Sequence, residues 1–275
     1  MTMITTITIQ ATDKINSVSK QWALDNIDYI NSDNKLLGTS MKVEKGESEG
    51  YYTSVLYMQP ADKVSTVTLC PSAALFGCKA DCLISSGMLG LTTGQAAATR
   101  RTILFLLDPI RFYAMLTKEI NAKHKKHGKK LAIRLNGTTD IDFTDFIASM
   151  PHIRFYDYSK VYSRLLKNRL ANYDLTYSGS AYSQKVMVMT ARAVRAGHRV
   201  AIAFNTGETR GEFKMPTDLA DFDTTDLRFT DNNELGGLKF KGGNRAARIA
   251  SMDSNNFFFT PNTYGQLKGL IASDR

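Results

Sequence analysis

The chain has 275 residues, 43% apolar and 22% charged, which are ordinary globular values and exclude wholesale disorder or a fibre. No stretch approaches the roughly 18 charge-free apolar residues that a spanning helix needs, and the run Ile103 to Leu107 is closed by Asp108 and Pro109. Thirty-five Lys and Arg against 26 Asp and Glu give +9 with neutral histidines, a balance that favours anionic partners, small molecule or nucleic acid, without naming one.

The N-terminal MTMITTITIQATDK lacks a basic segment followed by an apolar core and a cleavage site, so a cytoplasmic protein with no membrane partner is expected. Trp22 to Ile30 reads as a short helix. Between Met41 and Met58, the segments SMKVEK and YYTSVLYM flank the polar turn GESEG, and their pairing predicts a β-hairpin. Val64 to Leu69 (VSTVTL) is rich in β-branched residues and predicts the first strand of the core. Helices follow over Gln95 to Leu107 and Ile110 to Lys126, the second with Phe112, Met115, Leu116, Glu119 and Ile120 at helical spacing and Gly128 as its cap.

Thereafter one theme repeats. Strands at Lys130 to Leu135, Ile153 to Tyr156, Tyr173 to Tyr177 and Arg199 to Phe204 alternate with helices at Phe143 to Ser149, Val161 to Asn168 and Gln184 to Ala196. That alternation predicts an α/β fold of parallel βα units, either a partial TIM-like barrel or an open sheet, with an N-terminal hairpin extension. A sixth strand falls at Asp223 to Phe229 or Leu235 to Phe240. The expected organisation is residues 1–60 as extension, 61–243 as core and 244–275 as C-terminal elaboration. Phe257 to Phe259 read as core packing or as a stacking platform for bases.

Three cysteines, Cys70, Cys78 and Cys82, fall within thirteen residues. An odd, clustered set is a poor disulfide framework. The C-x7-C-x3-C spacing suits a metal or an iron–sulfur cluster, with zinc as the alternative to 4Fe–4S; inert packing thiols or a redox pair with a spare thiol are the other readings.

In βα folds, ligands gather at the C-terminal ends of strands. The residues there are the cysteine segment; Asn136, Gly137 and Asp140; Asp157, Tyr158 and Lys160; Ser178; and Asn205. Lys160 suits a phosphate or carboxylate, with Tyr158 positioning or exchanging a proton beside Asp157, which may be set against a plain capping turn with a solvated lysine. Arg134 and Asn136 are read as pointing together into a barrel, with Asp140 or Asp157 as the anion a buried arginine requires. The basic run Lys118, Lys123, Lys125, Lys126, Lys129 and Lys130 is a solvated face or a phosphate-contacting patch. The loop from Asn205 to Glu212 is a mobile lid or an ordinary surface excursion.

TCPSAALFGCKADCLISSG, IRLNGTTD, IRFYDYSKVYSR and NYDLTYSGS, with the later Asp223, Asp226, Arg228 and Phe229, resemble a poorly characterised family of phage- and plasmid-encoded proteins. That family in turn resembles radical S-adenosylmethionine enzymes, although their usual cysteine spacing is C-x3-C-x2-C. The resemblance implies a 4Fe–4S cluster on Cys70, Cys78 and Cys82, S-adenosylmethionine at its open iron, and an enzyme acting on a phosphorylated or nucleic-acid-related substrate. The alternative is a non-enzymatic nucleic-acid-binding protein with a structural metal.

Overall fold

The computed structural model describes residues 3–39, 44–78, 82, 84, 87–205, 214–240 and 257–273. Its centre is one sheet. The strands are β1 (Leu37–Gly38), β2 (Tyr52–Leu56), β3 (Leu131–Arg134), β4 (Arg154–Ser159), β5 (Tyr173–Ser178), β6 (Val200–Phe204), β7 (Ala220–Asp221) and β8 (Leu235–Lys239). They lie in the order β1-β2-β3-β4-β5-β6-β8-β7, and only β1 runs antiparallel to its neighbour. Among the described residues β1 and β7 stand at the two edges and do not pair with each other, so the α/β architecture is an open, mostly parallel sheet and not a closed barrel.

Helices fill the connections. Three short ones open the chain, α1 (Thr6–Ala11), α2 (Ser17–Asp25) and α3 (Ile27–Asn31); α4 (Thr92–Leu107) and α5 (Pro109–His127) join β2 to β3. Helices α6 (Thr144–Ala148), α7 (Tyr162–Lys167) and α8 (Gln184–Arg195) cross between successive parallel strands, and α9 (Pro261–Ala272) follows β8. Among the described residues, no helix is long and apolar enough to cross a membrane.

The apolar pattern shows which face the helices cover. Ile133, Phe155 and Tyr173 share one buried cluster with Phe112, Leu116 and Ile120 of α5 and Ile147 of α6. Tyr177, Val200, Ile202 and Phe204 share another with Leu165 of α7, Val186 and Ala191 of α8, and Leu267 of α9. Successive side chains alternate faces along a strand. Arg134, Tyr156, Tyr158, Thr176 and Ser178 therefore occupy the opposite face, which irregular chain from Phe222 to Asp231 covers.

Several expectations change for local reasons. The helix at Trp22 to Ile30 is two helices, because Asn26 leaves helical geometry and its side-chain amide donates to the Trp22 carbonyl at 2.8 Å. Val64 to Leu69 is not a strand. Its one β-type pairing among the described residues is an isolated bridge, Ser65 to Ile15, and Val67 stays exposed; the place beside β3 belongs to β2. The predicted hairpin partner of β2 falls partly on residues 40–43, outside the described residues, and Lys45–Glu47 form a 3-10 turn. It is Leu37 and Gly38 that pair with β2 instead. The late strand is Leu235–Lys239, whereas 223–229 forms part of the cover over the polar face.

Other expectations hold. Gly128 ends α5 with φ +56, where a side chain would be strained, and cations occupy the last turn of that helix. Phe258 and Phe259 are buried, and Phe259 packs on Phe204 with ring centroids 6.2 Å apart.

One carboxylate anchors the edge strand. Glu119 of α5 accepts the backbone N–H groups of Leu36 at 2.6 Å and Leu37 at 3.0 Å. Hydrogen bonds to a charged group are worth about 1.5–3 kcal/mol each. Glu119→Ala loses both and should therefore lower unfolding free energy by about 3 kcal/mol or more in urea titrations, and Glu119→Gln by less.

Candidate functional site

At the C-terminal edge of the sheet, three families of polar contact meet. The first is built around Asp140. Its Oδ1 accepts Ser159 Oγ at 2.9 Å and Arg164 Nη1 at 2.5 Å, while Oδ2 accepts the Lys160 backbone N–H at 2.9 Å. Its own N–H donates to the Leu69 carbonyl at 3.0 Å. Asp140 thus fastens the loop after β3 to the β4–α7 turn and to the start of the cysteine segment. Asp140, Arg164 and Ser159 are all buried, which makes removing either charge costly.

The second family lies on the helix-covered face. Asp157 Oδ1 accepts the Asn136 N–H at 2.7 Å, and Oδ2 accepts Tyr173 OH at 3.2 Å. Burial pushes the Asp157 carboxyl up to about 7 against the opposing pull of Arg134 and these hydrogen bonds. Asn136 does not share a face with Arg134. The strand ends at Arg134, and the Asn136 side chain turns to close its own loop, with Oδ1 accepting the Ile141 N–H at 2.8 Å. Gly137 sits where a Cβ would come within 2.5 Å of the Tyr57 ring and 2.6 Å of Val55, so β2 passes too closely for a side chain.

The third family lies on the opposite face. Arg134 pairs with Asp226 at 3.0 Å, and the hydroxyls of Tyr156 and Tyr158 donate to the same carboxylate at 3.4 Å. The Arg134 guanidinium stands 4.7 Å from the Tyr158 ring centre. Burial, then the Asp226 carboxylate, holds the Tyr158 phenol well above its usual range, so it is a neutral donor. The anion of Arg134 is therefore Asp226 and neither Asp140 nor Asp157: Arg164 holds the first, and strand parity turns the second away. Arg228 continues this layer, paired with Asp231 at 3.0 Å and stacked 4.0 Å from the Phe222 ring centre.

Lys160 stands at the mouth. Its Nζ donates to Ser178 Oγ at 2.8 Å and lies 6.0 Å from the Phe76 ring centre and 5.4 Å from that of Phe257. Among the described residues no carboxylate pairs with it. Strand spacing could anticipate Lys160 and Ser178; the two phenylalanines, 84 and 97 residues from Lys160, carried no local signal. Asn205 donates its backbone N–H to the Phe259 carbonyl at 2.8 Å, and the loop 206–212 lies outside the described residues.

The cysteine segment does reach this edge, but not as a metal centre. Ser72 Oγ donates to the Lys160 carbonyl at 3.5 Å, and Ser180 Oγ to the Phe76 carbonyl at 3.1 Å. Cys70 Sγ accepts the Ala61 N–H at 3.3 Å and donates to the Thr138 carbonyl at 3.9 Å; Cys78 Sγ donates to the Ala73 carbonyl at 3.8 Å. Burial pushes the Cys70 thiol up to about 12 and also raises Cys82. Among the described residues, no group of three His, Cys, Asp or Glu is placed to hold a metal ion. That overturns the 4Fe–4S cluster and the zinc alternative on Cys70, Cys78 and Cys82. S-adenosylmethionine and the likeness to radical enzymes fall with them. So do the iron–sulfur enzyme and the metal-built nucleic-acid-binding protein, since both readings rested on the metal. A neutral thiol bonded to backbone is a small polar core group, not a ligand.

Two surface depressions lie away from this edge. One of about 450 Å³ is lined by Phe105, Leu106, Tyr113 and Val67 among others. Another of about 350 Å³, at the N-terminal strand ends, includes Lys129, His152, Arg154 and Phe229. The first contains no residue of the three families above, and the second shares only Tyr173 with them.

A protein-family model described as Gene product 88 matches residues 29–254, and the chain belongs to that family. No curated protein and no solved structure matches it.

Asp157 makes stability depend on pH. Its folded value near 7 lies above the roughly 3.9 of an unfolded aspartate. The folded state therefore holds the extra proton between about pH 4 and 7, and the stabilisation present below that window is lost as pH rises through it. The slope approaches about 1.4 kcal/mol per pH unit. In thermal melts from pH 5 to 8, Asp157→Asn should flatten the decline, its advantage over wild type growing until about pH 7.

Proposed function

We propose that this member of the Gene product 88 family binds a small organic anion at the C-terminal edge of its sheet, with Lys160 as the charge and Ser178 as a second donor. The observation that carries this reading is the half-buried Lys160 ammonium without a carboxylate partner among the described residues. Ser178 accepts from it, which leaves the Ser178 hydroxyl proton to point elsewhere. An ammonium and a hydroxyl converging at one edge form a small anion site. The faces of Phe76 and Phe257 favour the charged lysine and reduce competition from water. Tyr158 and Arg134 support the site from the polar face, while Asp140 and Asn136 set the loops around it. Asp157 acts from the other face, through the position of β4.

Strands β2 to β6 follow in chain order with their helices on one face, and this winding supports a partial barrel as the finer description of the fold. In such an arrangement the C-terminal edge is where ligands enter.

The same 2.8 Å contact favours a second reading, in which Ser178 is a nucleophile and Lys160 its base for acyl transfer. Two ring faces beside the lysine nitrogen suit a bound ion pair more than a nucleophilic site, so anion binding ranks first. Labelling of Ser178 by a fluorophosphonate probe would reverse that order.

The test uses propionate, succinate and sulfate titrated by NMR at low ionic strength. Wild type should bind at least one of them, and Lys160→Met should weaken that binding about tenfold or more with little change in melting temperature. Lys160→Arg should recover part of it. Equal affinity in Lys160→Met would remove the lysine from the site.

A further inference from the structure

The surroundings of Lys160 say what kind of anion would fit. The chain from Cys70 to Cys78 crosses the sheet edge and is fixed there by the Asp140 N–H on Leu69 and by Ser180 on Phe76. Ala181 donates its N–H to the Phe257 carbonyl at 3.0 Å, which brings the second ring to the same place. Gly77 has φ +66, and a Cβ there would fall 2.1 Å from the Tyr182 ring. The glycine thus serves a close approach: the Tyr182 ring lies directly against the loop backbone, with its position fixed from below.

Two large side chains next to this loop keep part of their surface exposed. Tyr182 is 42% exposed and Leu75 38% exposed, flanking the segment whose Phe76 faces Lys160. A wholly hydrophilic anion on Lys160 would leave both side chains in water. A ligand with an apolar body would cover them while its head stayed on the ammonium, and ring faces held by packing bind such a body at little entropic cost.

We propose that the ligand is a monoanionic amphiphile, an aliphatic carboxylate with its head on Lys160 and Ser178 and its chain against Tyr182 and Leu75. This rests on the anion site proposed above and goes further by naming the ligand class. Charge complementarity selects the head; the exposed pair beside it selects the tail.

The experiment is a homologous series from acetate through butyrate and hexanoate to octanoate, titrated by NMR against the full chain. Burying one methylene contributes a roughly three- to fourfold gain in affinity. Wild-type affinity should therefore rise by about that factor per methylene over several carbons. Tyr182→Ala and, separately, Leu75→Ser should flatten the rise while leaving acetate binding unchanged; the second variant guards against a loop that loosens without the tyrosine. Lys160→Met should weaken every member.

The outcomes separate the two ideas. A flat series in wild type, with acetate binding still lost in Lys160→Met, overturns the amphiphile and leaves the anion site standing. A rise that persists unchanged in both apolar variants places the chain elsewhere and also overturns it. No binding by any member overturns the amphiphile, and the anion site falls with it where succinate and sulfate also fail to bind.

Discussion

A sheet whose described helices pack on one face leaves the other to be covered by irregular chain. Here that chain must also neutralise a buried guanidinium. Arg134 projects from β3 into this second layer, and Asp226 answers it at 3.0 Å. Both are nearly inaccessible, so neither charge is tolerable alone. The consequence is geometric. The segment from Phe222 to Asp231 has to lie across β3 to β5, bringing Phe229 onto Tyr156 with ring centroids 5.3 Å apart and Arg228 onto Phe222. Tyr156 and Tyr158 add their hydroxyls to the same carboxylate. The covered face is a network of charges and rings where the helix-covered face is an apolar core.

The edge above this layer is organised by the same logic with different partners. Asp140 binds Arg164, Ser159 and the Lys160 amide, and so consumes its charge in holding two loops together. Asp157 is spent on Asn136 and Tyr173. What distinguishes Lys160 is that the nearby carboxylates already have other work. Among the described residues its ammonium meets a hydroxyl and two ring faces and no carboxylate, which is why the proposed anion site is assigned there and not to the better-connected arginines.

The cysteines show how spacing can mislead. Three thiols in thirteen residues suggest a ligand set only if all three can ionise and converge. Burial raises the Cys70 and Cys82 thiols and so favours their neutral form, and backbone groups of Ala61, Thr138 and Ala73 already take up the hydrogen-bonding capacity of Cys70 and Cys78. The segment matters for its shape: it carries Phe76 to Lys160 and packs Gly77 beneath Tyr182.

Local patterns determined much of this protein. The alternation of β-branched runs with helical segments from Leu131 onward yields the parallel βα units, because period and turn chemistry act over a few residues. Gly128 likewise ends α5 as its position predicts. The strand ends also pointed to Lys160, Ser178 and Asp140, which lie at the sheet edge, whereas Asp157 sits inside β4. Partner choice is another matter. Val64 to Leu69 has strand propensity, yet β2 occupies the place beside β3, since pairing depends on what else reaches that edge. Arg134 requires an anion, but only the folded chain selects Asp226 from 92 residues away, by strand parity and prior commitment of the nearer aspartates. The rings around Lys160 come from segments more than 80 residues distant on either side. Short-range geometry is written in consecutive residues; the neutralisation of buried charge is decided by whichever side chains the tertiary structure brings within reach.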